Sequence, residues 1–161
     1  MPLILGIDPG LSGALVILDT YDVTLTVLDM PTVELVKGGK KRRELQPALL
    51  VAMLTAHEID EAAVERVGTR PGESPVAAFS FGRGCGVIEG ALAALHIPTT
   101  FYQPREWQKA MGMAAGGGKD AARNRAMQLY PSFSSSFARV KDDGRADAAL
   151  IASAHAILRV R

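Results

Sequence analysis

The sequence predicts a mixed α/β domain built from three meandering strands followed by alternating helices and strands. Two patterns carry this prediction. Near the N-terminus, three short apolar runs follow one another with very tight connections, as antiparallel neighbours do. Beyond residue 46, segments with apolar residues at helical spacing alternate with short runs rich in β-formers, which is how helices come to flank a sheet.

The first run, Pro2 to Ile7, ends at the turn signal Asp8-Pro9-Gly10. The second is Ala14 to Leu18. The third, Val23 to Leu28, alternates with period two, the mark of a strand with one polar face. Glu34 to Glu44 reads as a polar, glycine-containing, basic loop. Gln46 to His57 reads as a helix, and Ala62 to Val67 as a central strand ending near Glu65. A loop with Gly68, Pro71, Gly72 and Pro75 leads to a long helix, roughly Val76 to Leu95. Ile97 to Tyr102 is the last strand. A short helix after Pro104, a glycine loop at Gly116 to Gly118, a helix from Lys119 to about Leu129 and a final helix from about Asp143 to Val160 complete the chain. The expectation is one domain spanning 1–161, with a five-stranded sheet, three strands antiparallel and the rest parallel.

Of the 161 residues, 48% are hydrophobic, enough for a core, and the formal net charge is only +1. A nucleic-acid partner must then be argued from local clusters, since no global basic signature exists. The single cysteine, Cys85, excludes an internal disulfide and reads as a small buried hydrophobe. No run of 18 apolar residues occurs, and no basic segment precedes the first apolar stretch. The expectation is a soluble, cytoplasmic protein with no membrane partner.

Four carboxylates point to one site. Asp8 ends the first strand, where ligands collect in open α/β sheets, although Asp before Pro-Gly also serves local turns. Glu65 lies inside an apolar strand, where an unpaired charge costs several kcal/mol. Arg66, its neighbour, points to the opposite face, so a bound cation explains Glu65 better than an ion pair with Arg66 or Arg70. Asp143 and Asp147 open the last helix four residues apart, within about 40° of each other on one face. Such like charges repel. The bland alternative makes Asp143 a helix cap and Asp147 a solvated acid; the small apolar residues after Asp147 place it toward the sheet instead. Asp142 competes with Asp143 for the fourth position. Oxygen ligands of this kind suit Mg²⁺ or Mn²⁺. Zinc is disfavoured, because His57, His96 and His155 are scattered.

The ordered set Gly6-Ile7-Asp8-Pro9-Gly10, Glu65 at a strand end, and Asp143-Gly144-Arg145-Ala146-Asp147-Ala148 resembles the RuvC family of Holliday junction resolvases, the crossover junction endodeoxyribonucleases. The glycine-bearing helix Phe81 to Gly90, and Pro104-Arg105-Glu106-Trp107 followed by Lys119, resemble its bacteriophage-like branch. The likeness spans nearly the whole chain. It implies an RNase H-like fold, a homodimer, branched DNA as substrate, and Mg²⁺ or Mn²⁺ on Asp8, Glu65, Asp147 and one further acid. It also implies a bacterial or phage-infected host cell, and places Lys119 near the scissile phosphate. Two departures stand out. The family's upstream acid or histidine often lies three residues before the final Asp, where this chain has Gly144, so Asp143 is the substitute. The residue after Trp107 is Gln108, where many relatives have lysine.

The implied chemistry is phosphodiester hydrolysis with two ions about 4 Å apart, Asp8 bridging them. No small-molecule cofactor is expected. Lys40-Lys41-Arg42-Arg43 is a basic run suited to a DNA backbone, extended by Arg105, Lys109, Lys119 and Arg123, with Arg125 nearby. Lys119 serves equally well as a solvated surface lysine. Phe79, Phe81 and Trp107 read as core packing before DNA stacking. Gly82, Gly86 and Gly90 fall four apart on one helix face, where they either let a partner helix approach or pack on the sheet.

Three rival readings remain. The Asp8 loop with Ser12-Gly13 resembles the phosphate loop of actin- and sugar-kinase-like ATPases, but those need a far longer chain. A non-catalytic DNA-binding module would have no use for four acids. A nuclease for flaps, nicked DNA or RNA–DNA hybrids would share the same site.

Overall fold

The computed structural model describes residues 1–69, 72–114, 117–118 and 120–160. The apolar runs at the N-terminus form β1 (Leu3–Asp8), β2 (Ala14–Asp19) and β3 (Thr24–Asp29), an antiparallel meander. Next come β4 (Thr32–Lys37) and β5 (Lys40–Leu45), an antiparallel pair separate from the main sheet. This corrects the expected loop over Glu34 to Glu44. Gly38 and Gly39 turn the chain with φ of +58° and +74°, the two successive positive values that a tight hairpin turn demands. Charge hid these strands: a two-stranded ribbon outside the core needs no apolar alternation, and lysines on such edges discourage aggregation.

Helix α1 (Pro47–Thr55) precedes β6 (Glu61–Glu65), α2 (Pro75–Ala94), β7 (Thr99–Tyr102), α3 (Pro104–Ala110), α4 (Ala121–Leu129) and α5 (Asp143–Leu158). Two 3-10 segments, Pro131–Phe137 and Val140–Asp142, lie between the last two helices and were not expected. The main sheet runs β3-β2-β1-β6-β7, with β6 parallel to both β1 and β7. The fold class read from the sequence is therefore the one found.

Each face of the sheet carries its own apolar layer. Leu5, Ile7, Leu15, Ile17, Ala62 and Val64 meet Leu50 and Leu54 of α1 and Ile88 and Leu92 of α2. Ile4, Val16, Leu18 and Ala63 meet Trp107 of α3, Ala126 of α4 and the alanine-rich α5. The period of two then has a consequence for the acids. Asp8 follows Ile4 and Gly6, and Glu65 follows Ala63, so both carboxylates belong to the α5 face. Gly6 pairs with Ala63 in register, which brings Asp8 and Glu65 to the C-terminal ends of adjacent parallel strands.

Helix α5 lies directly on the β1 backbone. A Cβ on Gly6 would fall 2.0 Å from the Ala148 carbonyl oxygen and 2.7 Å from the Ala152 nitrogen. Only glycine permits that approach. Ala146, Ala148, Ala149 and Ala152 are completely buried, so small residues on both elements bring the helix close enough to present Asp147 over the strand ends.

Helix α2 covers the other face through Gly84, Ile88, Ala91 and Leu92 and leaves much of its surface open. Phe79, expected in the core, is 75% exposed, while Phe81 is half-buried. Gly82, Gly86 and Gly90 have no neighbour where a Cβ would stand, so they do not pack on the sheet. By length and composition alone, with mean hydropathy 1.2, α2 is the one helix among the described residues that could cross a membrane; it carries Arg83 and Glu89. Cys85 on α2 is half-buried and unpaired.

Candidate active site

Asp8 emerges from β1 into a turn that its own side chain helps to form, since Gly10 N donates to Asp8 Oδ1 at 3.1 Å. The turn role and the site role are compatible, because the carboxylate has a second oxygen. A Cβ on Gly144 would come within 2.9 Å of Asp8 Oδ2, 2.7 Å of the Ser12 carbonyl oxygen and 2.6 Å of Gly13 Cα. The α5 N-terminus thus sits on the loop after β1, and the glycine that replaces the family's upstream ligand position allows it.

Glu65 is held from the side. Trp107 is 1% exposed, and its Nε1–H donates to Glu65 Oε1 at 2.9 Å. From the sequence, Trp107 reads as core packing before DNA stacking. Its missed role had a signal: a buried indole N–H needs an acceptor, and an acid at a neighbouring strand end is available.

Asp147 is half-buried on the first turns of α5, and no hydrogen-bond donor or ion-pair partner meets its carboxyl among the described residues. Burial, and then the negative charges of Asp8, Glu65 and Asp143, push its pKa up to about 8 from 3.8. All four acids therefore act on one region of space. Among the described residues, no three ligating side chains close into a ready-made cage for an ion. A cation bound among the four acids would relieve the like charge that raises Asp147.

The two candidates for the fourth acid differ. Asp142 is buried and engaged: it accepts from the Arg139 backbone N at 2.9 Å and from Arg139 Nη2 at 2.8 Å, with Arg145 Nη1 at 3.6 Å. The Arg139 bond, with support from Arg145, holds its carboxyl below the usual range. Asp143 is half-exposed. Its Oδ1 lies 2.8 Å from Arg123 Nε as an ion pair, without the alignment of a hydrogen bond, and both atoms are buried and otherwise unmatched. An under-satisfied carboxylate oxygen beside three other acids fits an oxygen-ligated divalent ion, as does the all-oxygen donor set.

The basic residues divide as well. Arg123, expected to extend a positive surface, is buried on α4 and bound to Asp120, to Asp143 and to the Ala138 carbonyl oxygen at 3.1 Å. Its position corrects the expectation of a surface cation, because three acceptors inside the protein occupy the guanidinium. Arg125 likewise donates to the Met111 carbonyl oxygen at 2.8 Å. Lys41 is exposed and paired with Glu34 at 2.9 Å. Arg42 is exposed. Arg43 reaches back to the Leu11 carbonyl oxygen at 3.0 Å and to Thr32 Oγ1 at 2.9 Å, which ties the ribbon to the Asp8 loop. Arg105 and Lys109 are exposed on α3, the helix that carries Trp107. Lys119 and the Lys40 side chain lie outside the described residues, as do Arg70 and Gly116. Arg66 faces away from the site, over the Phe101 ring at 5.1 Å. His155 is no ligand candidate: its Nδ1 meets Tyr102 Oη at 2.9 Å and its Nε2 meets Glu61 Oε2 at 2.8 Å.

Comparison with known proteins places this geometry. No curated protein matches the sequence. Among solved structures, the chain is similar to RuvC of T. thermophilus in complex with a Holliday junction substrate, with a TM-score of 0.68 and 16% identity. That match covers 99% of this chain and 96% of the other. It is also similar to a second Thermus thermophilus RuvC structure, with a TM-score of 0.57 and 18% identity over 98% of this chain and 95% of the other. The family model described as crossover junction endodeoxyribonuclease RuvC matches residues 4–155. The chain accordingly belongs to the RuvC family of crossover junction endodeoxyribonucleases.

Proposed function

We propose that the chain resolves four-way DNA junctions as a homodimer, using Mg²⁺ or Mn²⁺ held by Asp8, Glu65, Asp147 and Asp143. The observation that carries the reading is the convergence of four acids where the C-terminal ends of β1 and β6 meet the start of α5. A divalent ion held there would supply a water nucleophile at neutral pH and stabilise the leaving oxygen. Around it, each residue has a separate task. Asp8 is anchored by its turn, and Glu65 keeps its orientation through Trp107. Asp147 would join the ligand set from the first turns of α5. Asp143, rather than Asp142, completes the set, because Asp142 is already engaged by Arg139. Lys119 is assigned to the phosphate of the broken bond through the family likeness.

Lys40, Lys41, Arg42 and Arg43 on the ribbon, with Arg105 and Lys109 on α3, are proposed to hold the DNA backbone. The open face of α2, with Gly86 and Gly90 and the exposed Phe79, supports pairing of two copies, which would give two cuts per junction. The place of action is the cytoplasm of a bacterial or phage-infected cell.

The test is cleavage of a labelled mobile junction beside linear duplex, flap and RNA–DNA hybrid, with Mg²⁺, with Mn²⁺ and with EDTA. Paired, metal-dependent cuts confined to the junction are expected. Cutting of the other substrates with the junction intact would keep the site and overturn the substrate. A monomer at micromolar concentration in sedimentation would overturn the dimer.

A further inference from the structure

A second charged recess lies behind the Asp8 loop. A cleft of about 260 Å³ is lined by Leu11, Ser12 and Gly13 of that loop, by Asp29 and Met30 at the end of β3, and by residues of β5, the turn before α5 and α5 itself. Four cations face it: Arg43 from β5, Arg139 and Lys141 from the turn, and Arg145 from α5. Only two carboxylates, Asp29 and Asp142, stand among them, so two positive charges are left over in a concave site.

The two acids are already engaged. Asp29 takes Arg145 Nε and Nη2, each at 2.6 Å, and Asp142 takes Arg139 Nε and Nη2. Each carboxylate therefore holds a guanidinium in a fixed orientation, and a held guanidinium loses less entropy when it binds. Arg43 and Lys141 are the surplus. Arg43 donates only to neutral oxygens, Thr32 Oγ1 and the Leu11 carbonyl, and among the described residues no carboxylate pairs with either cation. Convergent cations of this kind, contributed by separate elements, match the oxygen-rich charge of a phosphodiester.

The recess adjoins the carboxylate site. Ser12, on its wall, and Asp8 Oδ2 both lie within 3 Å of the position a Gly144 Cβ would take, at 2.7 and 2.9 Å. Successive phosphates of one strand are spaced about 3.4 Å along the helix axis. The recess therefore lies within reach of a phosphate one or two nucleotides away from a phosphate held at Asp8. We propose that the recess of Arg43, Arg139, Lys141 and Arg145 binds a non-scissile phosphate one or two nucleotides from the cut, setting which bond enters the carboxylate site. This rests on reading the chain as a DNA endonuclease.

The experiment measures binding to labelled junction and linear duplex in EDTA over a range of salt, for the wild-type chain, Lys141→Ala and Arg43→Gln. Lys141 is exposed and unpaired, so its removal is not expected to disturb folding, and a melting curve checks this. Each variant should bind about fivefold or more weakly, with a salt dependence shallower by about one phosphate contact. A methylphosphonate scan then locates the phosphate: one neutral linkage near the cut should weaken the wild type by a similar factor and cost Lys141→Ala nothing further. Wild-type affinity and salt slope in both variants would overturn the proposal, as would a scan in which every linkage costs wild type and variant equally. A chain that shows the expected binding pattern but leaves the junction uncut would retain the recess and lose the junction reading. A chain that binds no DNA would lose both.

Discussion

Asp142 and Asp147 lie five residues apart at the start of one helix, yet their carboxyls meet opposite surroundings. Asp142 is buried among arginines and held ionised; Asp29, bound by Arg145, is held low in the same way. Asp147 meets burial and three like charges and is pushed up to about 8. The first cluster is neutralised by the protein itself. In the second, Asp143 has Arg123 and Glu65 has Trp107, but no cation meets Asp147 among the described residues. A buried acid perturbed in this way over the strand ends is the mark of a candidate ligand site.

The largest effect that would sharpen this contrast is expected at Asp147. Asp147→Asn should lower junction cleavage by about 10³-fold or more, since several kcal/mol of transition-state stabilisation pass through such a site. The same variant should melt at a higher temperature than the wild type in EDTA at neutral pH, because the cost of holding a buried acid protonated above its free pKa is gone. Cleavage close to wild type would show that the cluster does no chemistry.

At the matched cluster the signs reverse. Asp142→Ala leaves Arg139 without its carboxylate partner and exposes the start of α5, so the melting temperature should fall by about 5 °C. An unchanged melting curve would mean that the arginine pairs contribute nothing to the fold.

Proton linkage separates the two clusters further. Between pH 3.8 and about 8 the native Asp147 binds a proton that the unfolded chain has lost. Without metal, stability should therefore fall as pH rises through this window. Asp142 and Asp29 act in the other direction: their contribution is present above pH 3.8 and lost as pH drops through their lowered native values. Urea melts in EDTA at pH 5 and pH 9 test this. The wild type should lose stability at the higher pH, Asp147→Asn should lose much less, and Mg²⁺ should restore the wild type there. Equal slopes in both proteins would remove the special status of Asp147.

A smaller effect belongs to Trp107→Phe. The ring is kept but Glu65 loses its N–H donor, so cleavage should fall by about tenfold, an effect typical of groups that orient metal ligands. A fall in melting temperature with no loss of activity would return Trp107 to packing alone.

Much of this was legible in the chain because it depends on local periods. Turn and strand signals put Asp8 and Glu65 at strand ends, and a spacing of four puts Asp143 and Asp147 on one side of α5; the sheet face that Asp8 and Glu65 share came only from packing and register. The run of alanines after Asp147 foretells a helix that lies close to its sheet. The β4–β5 ribbon was hidden for a related reason: the period that reveals a strand is one of burial, and this ribbon buries little.

What the sequence by itself determined was the order of the main-sheet strands and the helices, the four candidate acids and the family likeness. Tertiary structure alone decided which partner each acid meets. Arg145 meets Asp29 across 116 residues of chain, the neutral indole N–H of Trp107 meets Glu65 across 42, and Arg123 turns inward to Asp143. Burial periodicity acts over a few residues and can be read along the chain. A charge takes its partner from whatever the fold brings within a few ångströms, and that proximity exists only once the chain is folded.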